Sequence, residues 1–525
     1  MSDTSKADLS VNKTAFNVSE VFKRYRFVIA SSLITAFLTY IYAFANKLPN
    51  HDDVSQLFAK GTTLESGRWG LVAMSYIFPD FSMPWIYGVI SIVFITIAVC
   101  VIVRMFDIQN RIYQSLLAAL IIAFPSLFGV FTYMFTATSF SLSFLFAVVS
   151  VWLLKKKKVS FYILSVLLMT FSLSIYQSYI SVAVGLLMVL IIKMIINKES
   201  EPKIIIKNIA LYLSFLVLSA VLYYLITQLI FTVTNTSFGY YANQNLATDN
   251  VSVLQRIKIA YAVFFGEFFS GTNGLIPTMI SRVLHAILLV VIGLKGVIFL
   301  ARKESVIKKI LLLFLVILFP LGINCMYLIT ESSAVHTLVM YGFVSVYVLV
   351  FVLLEEETSV ERDKLNVKRV MRSASVVACI GIVLSNIIIG NEVFLRLQLK
   401  YENAYSFYTS LVAQIKSNTD FTPGTKVALV GETKELIYPY NEFDNINEIM
   451  GSDLNVNIYS RNQFIKYYCG FDADFASEEE IKTLSERQAF KEMNLYPYFD
   501  SVRKIDNYLV VKFSDQMNNE VDKHE

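Results

Sequence analysis

The chain has 525 residues, 55% hydrophobic and only 16% charged, with a formal net charge of +4. Its mean hydropathy of +0.57 excludes an ordinary soluble domain and places it among polytopic membrane proteins. So small a charge carries no nucleic-acid signature, and four cysteines make no disulfide framework. With four His and no Gly-rich phosphate loop, ATP, NAD and His-based metal chemistry have no anchor.

Residues 1–26 are polar, with Lys23, Arg24 and Arg26 leading into the first apolar run, Phe27 to Ala45. Ala43-Phe44-Ala45 has the form of a cleavage site, but the run is long enough to span a bilayer and is read as a retained span. Further spans are predicted at 84–103, 112–131, 137–154, 159–176, 178–196, 205–231, 282–301, 307–329, 335–353 and 371–390, for about 11 transmembrane helices. Cations gather in alternate loops: Arg104 and Arg111, then Lys155 to Lys158, then Lys193 to Lys207, Lys295 to Lys309, and Lys364 to Arg372. The positive-inside rule then places the N-terminus in the cytoplasm and the C-terminus outside.

Three outer segments are long enough to fold: 46–83, 232–281 and 391–525. The last reads as a small extracytoplasmic α/β domain. Phe394 to Ile415 has helical spacing, Thr425 to Val430 is strand-like, and Gln463 to Tyr468 is a short helix. Ser501 to Phe513 reads as two strands turning at Asp506-Asn507. The predicted layout is a cytoplasmic segment 1–26, a membrane domain 27–390 and the domain 391–525.

The most informative stretch lies just outside the first span: Asn50-His51-Asp52-Asp53, followed by Gly67-Arg68-Trp69. Paired carboxylates are costly beside lipid, which makes them a candidate site. Asp53 with Gln56 fits a helix N-cap, which leaves Asp52, with His51 beside it, to take a proton from a hydroxyl as general base. Arg68 suits a phosphate, which a guanidinium grips with two parallel bonds. Lys60 and Trp69 are candidate substrate contacts that also suit interfacial snorkelling and an aromatic belt. Tyr176, Gln177, Glu331 and His336, at the outer ends of later spans, would line the same outward-facing cavity. Arg396, after the last span, is a further candidate phosphate ligand.

At His51-Asp52-Asp53 and Gly67-Arg68-Trp69 the chain resembles the membrane glucosyltransferases that modify bacterial O-antigen and related surface glycans, within the GT-C class. Leu397-Gln398-Leu399-Lys400-Tyr401-Glu402-Asn403-Ala404-Tyr405 and Met493-Asn494-Leu495-Tyr496-Pro497-Tyr498 support the resemblance. It implies a GT-C-like fold in the bacterial inner membrane. It also implies a polyprenyl-phosphate hexose as donor, a surface polysaccharide such as O-antigen as acceptor, and an acidic base in the first outer loop. Carried onto this chain, that base is Asp52, with Asp53 adjacent. No cofactor is expected, although some oligosaccharyl-transferring relatives use a metal and a divalent ion at Asp52 and Asp53 stays open. Displacement of the lipid phosphate in line would invert the anomeric centre. The rival reading is a flippase of lipid-linked sugars, against which stand the lack of paired broken spans and of ionisable groups within the spans.

Overall fold

A computed structural model describes residues 18–57, 64–79, 81–197, 200–239, 251–271, 275–276, 278–330, 335–356, 365–438 and 456–515. Among them, eight helices are long and apolar enough to cross a membrane, or nine if one bent pair counts as a single span. That pair, Arg111–Ile122 and Pro125–Thr132, meets at 42°. Pro125 explains the break, since it lacks an N–H and biases Phe124 to the extended backbone observed there (ψ 133°). The expected spans at 159–176 and 335–353 are shorter apolar helices, Val159–Ile175 and Tyr341–Glu355.

The helix Met134–Leu154 is the axis of the bundle. In its most apolar stretch 78% of residues are buried, against 17% for Pro202–Thr234. Its inward face is small and hydroxylated, with Ser139, Ser141, Ser143 and Ser150 buried. Ser143 pairs with Ser172 of the neighbouring helix, hydroxyl to hydroxyl, at 3.0 Å. In lipid, apolar surface alone does not hold helices together, and close approach with interhelical hydrogen bonds does. The helix Pro202–Thr234 is the reverse: Leu213, Val217, Val221, Leu225 and Leu229 face outward, an apolar surface fit for lipid tails.

One helix of 53 residues, Leu365–Ser417, runs about 80 Å at 1.5 Å per residue and joins the two parts of the molecule. Val393, Phe394 and Leu397 pack into the bundle core, while Ala404, Tyr408, Leu411 and Ile415 belong to a second core. The expected last span and the expected tail helix are thus one element, unbroken at residue 390.

Beyond it lies a three-stranded sheet, β1 (Lys426–Val430), β2 (Val502–Ile505) and β3 (Tyr508–Lys512). The order is β1-β3-β2, with β3 parallel to β1 and antiparallel to β2. The hairpin turns where predicted, and Asp506 takes φ 52° there, as a two-residue connection between twisted strands demands. Alternate residues of β1 enter different cores: Val427 and Leu429 join Tyr408 and Phe464, and Ala428 and Val430 join Leu484 and Phe490. A strand buried on both faces reads as a continuous apolar run, which Val427 to Val430 is. The expected helix at 463–468 is Ile458–Tyr467, started by an Asn457–Ser460 capping box.

Candidate active site

The short helix His51–Ser55 follows the first span, and its N-cap is Asn50, whose side chain accepts the Asp53 N–H at 2.9 Å. The expectation that Asp53 caps its own helix is corrected: it is the third helical residue. Its carboxylate instead turns into the bundle and accepts the Phe135 N–H at 3.3 Å, in the first turn of Met134–Leu154. Tyr133, the cap residue of that helix, supplies no side-chain bond. Asp53 therefore caps a helix far away in sequence, where exposed N–H groups and the helix dipole favour a negative charge.

Asp53 is 1% exposed. Burial pushes its pKa above the ordinary 3.8, against the opposing pull of Lys47, the Ser82 hydroxyl and the amides of Phe135 and Met134. Lys47 is driven down by the same burial, with Asp53 pulling it back up, and its ammonium donates to the Ser82 carbonyl at 3.1 Å. Asp52 differs. Its side chain is 35% exposed, with His51 Nε2 at 3.8 Å, and His51 sits edge-on to Tyr133. The pair is thus split by environment, with Asp53 locked inward and Asp52 partly exposed.

A second group forms around Arg68. Gly67 takes φ 69°, and the turn it makes presents Arg68 at the head of the helix Trp69–Ser75. Arg68 donates to Gln177 Oε1 at 3.4 Å and lies over the Tyr176 ring, 5.4 Å from its centroid. Gln177 Nε2 donates to the Ser66 carbonyl and to the Tyr223 hydroxyl, at 3.1 and 3.0 Å. Tyr223 donates in turn to the Gly67 carbonyl at 3.1 Å. His336 joins this group: burial, with Arg68 second, lowers its pKa from 6.5 to about 4. Its Nδ1 is buried without a hydrogen-bond partner among the described residues.

Tyr176 stacks on Phe140 at 4.2 Å, five residues along the helix that Asp53 caps. Five residues are about 7.5 Å of helix rise, so the acidic and cationic groups are arranged along one end of that helix. Trp69 is packed elsewhere, donating to Thr227 Oγ1 at 3.2 Å and resting on Phe171. Arg396 is paired with Glu392 at 2.7 Å on the joining helix. Lys60 and Glu331 lie outside the described residues. The sequence reading missed Lys47, Ser82 and Tyr223. Lys47 alone carried a signal, a cation at the end of the first span opposite to the loops where the other cations gather.

The tail reaches the same place. Val54, next to Asp53, is fully buried in the tail's core with Tyr408, Leu411 and Phe464. Asp53 helps to raise the pKa of Tyr468, whose burial is the larger cause. The His51–Ser55 helix is thus held from below through Asp53 and from above through Val54.

A multi-pass helical bundle with acid, guanidinium, amide and imidazole gathered at one end, beside a small α/β domain, has the form of a membrane protein with a polar site at one end of its helices. The family described as Glucosyl transferase GtrII matches residues 41–349, more than half of the chain. The chain belongs to that family and is a membrane glycosyltransferase. The match spans Asp52, Arg68, Gln177 and His336 and ends before the α/β tail. No curated protein matches the chain, and no solved structure does.

Proposed function

We propose that the protein transfers a hexose, glucose by its family, from a polyprenyl-phosphate donor to a cell-surface polysaccharide such as O-antigen. The reaction takes place on the outer face of the bacterial inner membrane, with the N-terminus inside and the α/β domain outside. The observation that carries this reading is the split pair: Asp52 open beside His51, Asp53 sealed against the bundle.

The acceptor hydroxyl loses its proton to Asp52 and attacks the anomeric carbon as the bond to the lipid phosphate breaks. The donor phosphate leaves as a monoester anion, held by the Arg68 guanidinium. His336, neutral at pH 7 because its pKa is about 4, offers a ring nitrogen for hydrogen bonding without a charge. Phosphate is a good leaving group, so positioning and charge stabilisation supply most of the rate. In-line displacement inverts the anomeric centre. The loop 232–281 and the domain 391–525 shape the choice of acceptor.

The test is transfer from radiolabelled polyprenyl-phosphate glucose to a surface-glycan acceptor by protein purified in lipid. Asp52→Asn should lower turnover by roughly a hundredfold to ten-thousandfold, the usual worth of a general base, while donor binding persists. Retained turnover in Asp52→Asn, or a product with retained configuration, removes this mechanism. Movement of the donor across vesicles without a glycan product selects the flippase.

A further inference from the structure

The opposite end of the bundle carries a cavity that the transfer reaction does not use. The first span starts there and ends next to Asn50, and the span Pro84–Phe106 starts beside Lys47 and Ser82 and finishes there. Between these two ends and the start of the helix Arg111–Ile122 lies a space of about 190 Å³. A single water needs about 10–15 Å³ by the same measure, so this space admits a much larger group. Lys23, Arg24, Arg26, Arg104 and Arg111 line it, with Tyr25, Phe27, Val103 and Ile108, and no Asp or Glu does.

An excess of cations at one end of a membrane protein is by itself only the signature of its orientation. Here the cations converge and have no other assigned work. None of the five makes an ion pair among the described residues. Two carboxylates near this end are engaged elsewhere: Asp107 lies 3.7 Å from Lys155 and 3.5 Å from Lys193, and Glu355 accepts the Asn110 N–H at 3.3 Å. The guanidiniums are held by rings. Arg26 and Arg111 both lie over Phe27, 4.8 and 5.2 Å from its centroid, and Arg104 lies over Trp152 at 5.3 Å. Stacking fixes a guanidinium plane and leaves its N–H edge for an anion.

We propose that this cavity binds the phosphodiester headgroup of an anionic phospholipid from the leaflet at that end. The depth decides between a lipid and a free anion. The cavity lies where two spans end, which is headgroup level for a chain that crosses the bilayer, and the partly exposed Phe27 ring in its wall suits the start of an acyl chain. A soluble phosphate would use only the charged part. The inference is independent of the transfer reaction and stands or falls separately from it.

The experiment is direct binding to the purified full-length protein in neutral detergent, by native mass spectrometry, with short-chain phosphatidylglycerol, phosphatidylcholine and inorganic phosphate in separate arms. Saturable binding of phosphatidylglycerol alone is expected. The triple variant R26Q/R104Q/R111Q should weaken it about tenfold or more, since each charge-assisted bond is worth roughly a tenfold change in affinity. Arg26→Gln alone, verified as folded by thermal unfolding, should weaken it measurably and decides the matter if the triple variant misfolds. The double variant K156Q/K157Q removes two charges outside the cavity and should leave binding intact. Equal binding of phosphatidylcholine, binding of phosphate alone, full affinity in folded Arg26→Gln, or equal weakening by K156Q/K157Q would each overturn the proposal.

Discussion

Asp52 and Asp53 are chemically identical neighbours with opposite surroundings, and the pH dependence of stability separates their neighbourhoods. Burial makes Asp53 hold its proton above the ordinary 3.8. Just above that value the folded protein therefore binds more proton than the unfolded chain, and stability falls as pH rises through the window. His336 acts in the other direction. Its folded pKa of about 4 lies below the ordinary 6.5, so the unfolded chain binds more proton between those values and stability falls as pH drops through them. In Asp53→Asn the first slope should vanish and the second remain, as read from thermal unfolding across acid to neutral pH. Asn keeps an oxygen for the Phe135 N–H, so this variant should fold and transfer sugar better than Asp52→Asn. If Asp53→Asn alone abolishes transfer, the roles of the two carboxylates are exchanged.

The Arg68 turn shows how an element positions a side chain. Gly67 sits at φ 69°, and a Cβ there would come within 2.7 Å of the Tyr223 hydroxyl, which holds both the Gly67 carbonyl and Gln177. Gly67→Ala should therefore cost about 1–2 kcal/mol of backbone strain and displace Tyr223. We expect a donor KM raised several-fold to about tenfold with less change in kcat. Arg68 keeps its charge in that variant, so an unchanged KM would show that the Gln177–Tyr223 network does not position it. The helix Met134–Leu154 is the other positioning element, since Asp53 and Tyr176 both register against its N-terminal turns.

On the scale of the whole molecule, the Leu365–Ser417 helix and the His51–Ser55 helix both connect the α/β tail to the membrane bundle among the described residues. Val54 is 0% exposed in the tail's core, so Val54→Asp would bury an unpaired carboxylate at a cost of about 3 kcal/mol or more. The tail should then loosen from the bundle, with a lower unfolding temperature, faster proteolysis after residue 417, and loss of transfer although Asp52, Arg68 and Gln177 are intact. Full transfer by a demonstrably loosened tail would show that transfer does not need the tail to hold the His51–Ser55 helix.

Much of this architecture was legible because membrane spans obey a local rule: about 20 apolar residues in a row are visible without knowing what they touch. The hairpin at Asp506-Asn507, the strand Lys426–Val430 and the site stretch at His51-Asp52-Asp53 are local signals of the same kind. The cap assignment failed because Asp53 satisfies a helix 82 positions later, and no window along the chain contains both partners. The joining helix was read as two elements because its composition changes from apolar to polar at residue 390 while its backbone does not.

By itself, then, the sequence determined that this is a helical membrane protein with its cations toward one end and an acidic pair at the other, since hydropathy and charge act residue by residue. Only the tertiary structure decided which carboxylate is sealed and which is partly exposed, that Arg68 meets Gln177 with His336 near enough to feel its charge, and that five cations line one cavity. Burial and electrostatic coupling depend on what lies across space, and the chain brings those partners together from positions far apart.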